Sequence, residues 1–127
     1  MSMFALANEE TFSLNGQVSE RKVLADGVVS SDVEQFSSIF DMRLFSKGVF
    51  EVVNTGLANA LKYTIYGAID PYVKWEPLPN AVNKVLAANT SAAQTLRDAY
   101  GFVKVGFTSN VAGNATTIKV LAEGKNQ

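Results

Sequence analysis

LRDAYGFVKVGFTS, residues 96–109, is the stretch that decides the fold class of this chain. In its second half, Val103, Val105 and Phe107 alternate with a lysine, a glycine and a threonine. A period of two in β-branched and aromatic residues is typical of a strand that buries one face. The pattern therefore predicts a central strand of an all-β sandwich, with these three side chains in the hydrophobic core.

The residues just before this strand resemble a corner found in immunoglobulin-like and fibronectin type III domains. The residue order seen before the penultimate strand of those domains is matched by Leu96, Asp98, Ala99 and Tyr100. In that corner a tyrosine hydroxyl group bonds back to upstream backbone. The resemblance implies that Tyr100 is buried and bonded to the backbone. Phe102 takes the place of the second cysteine of an immunoglobulin domain.

Short alternating or apolar segments elsewhere indicate about seven to eight strands in a single domain. The clearest of them are residues 17–25, 38–44, 49–53, 60–68 and 116–122. Strands at this spacing are typical of a β-sandwich, either immunoglobulin-like or a jelly roll. Three successive charged residues place the first of these strands at a sheet edge.

Turn signals between these segments predict how the strands pair. An Asp-Gly pair at 26–27 ends the first strand with a turn. A Lys-Gly turn folds 38–44 back on 49–53, and the loop 110–114 folds 116–122 back on the central strand. Both pairs are predicted hairpins.

The segment 81–99 fits two structures. Its apolar residues have helical spacing, and Ser91 and Gln94 fit a capping box. The alternative is a strand that ends near Ala88, a turn, and a second strand through Leu96. We favour the extended structure, because short apolar runs of this kind occur in strands as well as in helices.

Residues 1–14 are predicted to form an N-terminal arm outside the β-sandwich domain, which spans residues 15–127. The arm has no steady hydrophobic period, yet it carries four large apolar side chains: Phe4, Leu6, Phe12 and Leu14. One interpretation is a frayed chain end. The other is an arm that becomes ordered on a neighbouring subunit, so that these four side chains are interaction residues.

The composition argues against most catalytic chemistry. The 127 residues include no histidine and no cysteine, which removes the commonest general base, thiol nucleophiles and the usual transition-metal ligands. The carboxylates Asp26, Asp32, Asp41, Asp70, Glu76 and Asp98 are scattered, without an Asp-x-Asp pair or the spacing of a calcium-binding loop. We therefore predict a protein that is not an enzyme and uses no cofactor or metal.

Charge and hydropathy limit the partners. The 11 basic and 12 acidic side chains give a net charge of -1, which argues against nucleic acid as a partner, because phosphate binding needs a basic excess. No apolar segment approaches the ~20 residues of a membrane helix, so we expect no membrane partner.

Three aromatic residues offer an alternative function. Tyr66, Tyr72 and Trp75 would form a platform for sugars in a carbohydrate-binding or adhesin-like module, because aromatic faces stack on sugar C–H groups. The competing interpretation is burial, with Trp75 in the core and the tyrosines covering sheet edges.

From about residue 48 to 124 the chain resembles small β-sandwich virion proteins of tailed bacteriophages, of the head-decoration type. The likeness consists of an N-T-G turn, a tyrosine-led strand and a G-x-x-T-T segment, carried by Asn54, Thr55, Gly56, Tyr100, Val103, Lys104, Val105, Gly113, Thr116 and Thr117. The resemblance implies a structural virion protein that decorates or assembles a capsid. Its expected partners are further copies of itself, as a homo-oligomer, and a major capsid or other virion protein.

Overall fold

The computed structural model describes residues 9–14, 17–97 and 101–126 of the chain, with side chains from residue 19 onward. All regular secondary structure in these residues is β, in eleven strands. Seven of the strands are six or more residues long, and the other four contain only two or three. The prediction of an all-β sandwich is confirmed.

The strands form two antiparallel sheets. The five-stranded sheet contains, in spatial order, β1 (Glu9–Leu14), β2 (Gln17–Val29), β11 (Thr117–Lys125), β5 (Lys47–Asn54) and β9 (Thr90–Arg97). The six-stranded sheet has at its centre β10 (Phe102–Ser109) and β6 (Leu61–Ala68). Short strands flank this centre: β3 (Gln35–Phe36) and β4 (Phe40–Asp41) beside β10, and β7 (Glu76–Pro77) and β8 (Lys84–Leu86) beside β6.

The order of the strands selects the jelly roll among the predicted sandwiches. The pair β3 and β4 is one interrupted strand, and β7 and β8 are another, because each pair lies beside a single neighbour. Counted this way from β2, the chain has eight strands. One sheet contains the first (β2), eighth (β11), third (β5) and sixth (β9) of these strands. The other contains the second (β3 with β4), seventh (β10), fourth (β6) and fifth (β7 with β8). This is the order of two interlocked Greek keys, which defines a jelly roll.

Both predicted hairpins are wrong. β4 belongs to the six-stranded sheet and β5 to the five-stranded one, so the chain crosses between sheets after β4. The same holds for β10 and β11, which lie in different sheets. The alternation of a strand shows which of its faces is buried, but it carries no information about which strand lies beside it.

Two further predictions near the N-terminus are wrong. Gly27 lies within β2, where its φ of 68° accommodates a bulge rather than a turn. Opposite this point, Lys119 pairs with Asp26 and Ile118 with Val28, so the register with β11 skips the glycine. β2 is also not an edge strand, because it lies between β1 and β11.

The core lies between the two sheets and is built from their inward-facing side chains. Val103, Val105 and Phe107 of β10 are buried, which confirms the predicted orientation of that strand. They pack in one cluster with Phe50 of β5 and Ile118 of β11, among others, so both sheets contribute. Burial of each large apolar side chain stabilises the fold by about 1.5–3 kcal/mol.

The extended interpretation of this segment is confirmed over residues 81–97, the part that the structure describes. β8 ends at Leu86 and β9 begins at Thr90, with Asn89 in the left-handed region at a φ of 57°. Asparagine tolerates this conformation better than most residues, so it suits the tight turn between the two strands.

The N-terminal arm is described only in part. Residues Glu9–Leu14 form β1, which pairs antiparallel with β2 from Glu9 opposite Lys22 to Leu14 opposite Gln17. Phe12 and Leu14 therefore belong to an edge strand, and their side chains lie outside the described part of the structure. Phe4, Leu6 and Tyr100 lie outside the described residues. The docking of the arm on a neighbouring subunit stays a prediction.

Candidate interaction surfaces

An aromatic cluster lies on the outer face of the six-stranded sheet, and it consists of Phe36, Tyr66, Trp75 and Lys104. The ammonium nitrogen of Lys104 is 3.9 Å from the ring centroid of Phe36 and 4.5 Å from that of Trp75. The rings of Phe36 and Tyr66 meet edge to face with centroids 5.8 Å apart. A cation over aromatic faces is attracted by the ring quadrupoles, so Lys104 joins the two rings.

Glu34 fixes the position of the tyrosine in this cluster. The Tyr66 hydroxyl group donates a hydrogen bond of 2.8 Å to Glu34 Oε2. Burial, together with this bond and the negative charge of Glu34, raises the pKa of Tyr66 to about 12. The hydroxyl group therefore stays protonated at neutral pH and acts as a donor.

Gly106 explains why these side chains lie so close to the sheet. A Cβ atom at this position would collide with Glu34 Oε2 and would lie 2.8 Å from Tyr66 Cε2. Glycine within a strand marks such a close approach. A larger residue at 106 would displace the Glu34 carboxylate and the Tyr66 ring from these positions.

The predicted sugar platform is brought together only in part. Tyr66 belongs to the aromatic cluster through Phe36, and Trp75 belongs to it through Lys104, but Tyr72 is 95% exposed in the loop after β6. Trp75 is only half-buried, so it is not a core residue. Its indole Nε1 donates a hydrogen bond of 3.1 Å to the carbonyl oxygen of Pro71. Phe36 was not predicted, since the strand-to-strand register that places it opposite Gly106 has no signal in the sequence.

One end of the sandwich, which we call the network end, is built from the connections 30–34, 55–60, 87–89 and 110–116. Its central residue is Asn54, which is fully buried. The Asn54 amide nitrogen donates to the carbonyl oxygens of Asn59 at 2.9 Å and Leu86 at 3.0 Å. Its oxygen accepts from the Thr116 hydroxyl group at 2.7 Å and the Gly56 N–H at 3.1 Å. All of its hydrogen-bonding capacity is used.

The two short motifs of the sequence resemblance meet at this end. Besides the bond from Thr116 to Asn54, the hydroxyl groups of Thr55 and Thr117 are 2.7 Å apart. Gly56 has no room for a side chain, because a Cβ atom there would overlap Thr116 Oγ1. The N-T-G turn and the following T-T pair therefore act as one structural joint between β5 and β11.

A second buried pair completes the network end. The hydroxyl oxygens of Ser30 and Ser109 are 2.8 Å apart, and Ser30 Oγ accepts from the Thr116 N–H at 2.9 Å. Ser109 ends β10 and Ser30 follows β2, so this contact ties the two sheets to each other. Buried polar groups satisfied in this way specify one arrangement of the connections.

The opposite end is built from the connections 42–46 and 69–75 together with Gly101. The single N–H of Arg43 Nε is shared between Asp41 Oδ1 and Oδ2, and Arg43 Nη2 donates a hydrogen bond of 2.7 Å to Oδ2. Hydrogen bonding by Arg43 lowers the pKa of Asp41. The guanidinium group also lies 4.9 Å from the ring centroid of Phe102. These contacts are exposed to solvent, unlike those at the network end.

Large apolar side chains are exposed on the loops of the opposite end. Tyr72, Ile69 and Val73 are 95%, 85% and 77% exposed, and all three lie within five residues of one loop. Beneath this loop is a cleft of about 290 Å³ whose lining includes Ile69 and Val73. Leu44, in the neighbouring connection, is also exposed. Apolar groups that gather in this way mark contact sites more often than single exposed residues do.

The described residues show no arrangement typical of catalysis. Among them, no three histidine, cysteine, aspartate or glutamate side chains come together as a metal-binding group. They also include no helix long and apolar enough to cross a membrane.

Comparison with known proteins identifies the fold and not a family. No family model and no curated protein matches the chain. Among solved structures, the chain is similar to a protein of Bacillus endospore appendages, which form disulfide-linked pili: identity is 11%, all of both chains is covered, and the TM-score is 0.56. It is also similar to a chain of infectious bursal disease virus, Gx strain, with 14% identity, a TM-score of 0.51 and coverage of 87% of this chain.

The length and the composition of the chain limit what these two similarities imply. It spans 32% of the virus chain, so only part of that protein shares the fold. It contains no cysteine, so it cannot form the disulfide links of the appendage pili. The chain thus shares its β-sandwich with proteins of a pilus-type appendage and of a virus.

Proposed function

We propose that this protein is a non-enzymatic structural subunit of a virion, a capsid decoration or assembly component of the tailed-bacteriophage type. It acts through contacts with further copies of itself and with a major capsid or other virion protein. The observation that carries the proposal is the exposed apolar loop of the opposite end, with Ile69, Tyr72 and Val73. A loop that leaves three large apolar side chains in water gains free energy when a neighbouring subunit covers them.

The rest of the molecule supports a role that depends on rigid contacts. The network end holds four connections through buried hydrogen bonds of Asn54, Ser30 and Thr116, which fixes the shape of the subunit. A preformed surface loses less entropy on assembly than a flexible one, so a rigid jelly roll suits a repeating particle.

The carbohydrate-binding alternative has weaker support. In a sugar platform the aromatic faces must be open to the ligand, but the Lys104 ammonium group already lies against Phe36 and Trp75. A sugar would have to displace this cation from both rings. Tyr72, which is open, has no aromatic neighbour among the ring contacts of the described residues.

The test of the proposal is whether the protein belongs to a particle. Virus particles from the source of this sequence are purified on a density gradient, and the chain is quantified in each fraction by mass spectrometry. We expect a constant number of copies per major capsid protein across the particle peak. A chain found only in the soluble fractions, together with specific binding on a glycan array, would replace the proposal by the carbohydrate-binding alternative.

A further inference from the structure

The four edges of the two sheets differ in how well they are protected against pairing with another strand. Both edges of the six-stranded sheet are interrupted, because β3, β4, β7 and β8 have only two or three residues. The edge beside β6 also carries Pro77 and Pro79, which cannot donate backbone hydrogen bonds. At the edge formed by β1, two glutamates begin the strand. Short strands, prolines and charges are the usual protections of an edge.

The fourth edge, β9, has none of these features over most of its length. Its sequence is TSAAQTLR, without proline and without charge until Arg97. It pairs with β5 at every residue from Thr90 opposite Asn54 to Arg97 opposite Lys47, with no register shift. Within the described part of the chain, no strand lies on its other side. An edge that is long, regular and neutral is a template for a further strand.

The side chains of β9 allow close approach along this edge. Ser91, Ala93 and Thr95 are exposed on the outer face of the sheet, and Ala92 and Gln94 are small or polar on the inner face. None of these side chains is large or charged, so a second backbone can come within hydrogen-bonding distance.

We infer that β9 pairs antiparallel with β9 of a second copy around a twofold axis, which joins the two five-stranded sheets into one sheet of ten strands. The inference rests on the proposed function, since it names one contact through which the subunits assemble. A strand that is antiparallel to its own copy is related to it by a twofold axis, and such an interface closes as a dimer.

The sequence of β9 allows the strand to pair antiparallel with β9 of a second copy. When Gln94 lies opposite Gln94 of the second copy, Ala93 faces Thr95 and Ser91 faces Arg97, and each pair lies on the same face of the sheet. No like charges are opposed, which would destabilise a cross-strand pair. The protected edges of a second copy offer no comparable partner, so β9 itself is the occupant that fits.

Two variants that place opposite charges at position 93 test this pairing. In this register Ala93 lies diagonal to Ala93 of the second copy on the same face, about 7–8 Å away. Ala93→Asp and Ala93→Lys therefore each bring like charges together across the twofold axis, so we expect each variant alone to weaken the dimer in sedimentation velocity. An equal mixture of the two variants places opposite charges together and should restore the dimer. Because Ala93 is exposed, the folded monomer keeps its circular dichroism spectrum. Ala58→Asp and Ala58→Lys, in an exposed loop, are the matched controls and should associate like the native chain.

Three outcomes would overturn the inference. If both Ala93 variants associate as the native chain does, assembly uses other surfaces, and the proposed function is unaffected. If only Ala93→Asp fails to associate, or if the mixture does not recover, the pairing is not around a twofold axis. If the native chain is a monomer at every concentration, the contact does not exist, and the gradient experiment on particles judges the proposed function independently.

Discussion

The two ends of the jelly roll are held by different kinds of interaction. At the network end, buried side chains such as Asn54 and Ser30 make hydrogen bonds that water cannot reach. At the opposite end, Arg43 binds Asp41 and lies near Phe102 in the solvent. A buried donor or acceptor that loses its partner costs far more than an exposed ion pair does. The network end therefore fixes the fold, and the opposite end tolerates more change, which suits the contacts that we propose for it.

The largest loss of stability is expected from a change in the hydrophobic core midway between the two ends, because both ends depend on that core. Val105 is fully buried in β10, so Val105→Asp places an unpaired charge between the sheets and costs several kcal/mol. We expect the variant to be unfolded by circular dichroism. Lys104→Asp, next in the chain but on the outer face, is the control and should stay folded. A soluble, folded Val105→Asp protein would mean that the orientation of β10 is wrong.

At the network end, Asn54→Ala should be the most damaging change of a polar side chain. It leaves two carbonyl oxygens, a hydroxyl group and an N–H without their partner in a buried site, which costs about 2–4 kcal/mol. Urea denaturation measures the loss. Asn114→Ala, at an exposed position of the same end, should change stability by less than about 0.5 kcal/mol. Equal effects of the two changes would show that the buried hydrogen bonds of Asn54 do not stabilise the network end.

A third change tests the joint between the two short motifs. In Gly56→Ala, the new Cβ atom overlaps Thr116 Oγ1, and overpacking of this kind costs about 1–3 kcal/mol. Thr116→Ala removes the overlapping oxygen, so the double variant should be more stable than the sum of the single effects predicts. Strict additivity in a denaturation cycle would show that the two residues are not coupled.

The smallest effect is expected at the opposite end and depends on pH. Arg43 lowers the pKa of Asp41 in the folded state, so the pair stabilises the protein at pH values above the usual carboxyl pKa, and this contribution is lost as pH falls through the folded pKa. Arg43→Gln should remove that part of the acid sensitivity and change little else. The native chain and the variant are compared in urea at neutral and acidic pH. If Arg43→Gln lowered the free energy of unfolding at neutral pH more than Asn54→Ala does, the opposite end would be the more strongly held of the two ends.

The sequence predicted the faces of the strands better than their neighbours. Alternation in β10 correctly indicated that Val103 and Val105 are buried, because period two depends only on the pleat of one strand. The partner strands were wrong for β4 and β11, since successive strands of a jelly roll cross between sheets and leave no local signal of doing so.

The candidate surfaces show the same limit. The Asn-Thr-Gly turn was visible in the sequence, but its bond to Thr116, 62 residues away, depends on the fold. Trp75 was recognised as a candidate, whereas Phe36 and Lys104 were not, because the register of β3, β6 and β10 brings them together. Such clusters combine residues from distant strands, and period and spacing describe only one strand at a time.

The central claim, that this subunit assembles through exposed contacts, is tested most directly by sedimentation velocity of the full chain over a wide range of concentration. The account predicts a mass that rises above the 13.7 kDa of the monomer as concentration increases. Ile69→Ser/Val73→Ser should weaken association beyond the β9 dimer, while Val85→Ser, also exposed but on β8, should not. A native chain that stays at 13.7 kDa at every concentration would contradict assembly through contacts between copies of the chain.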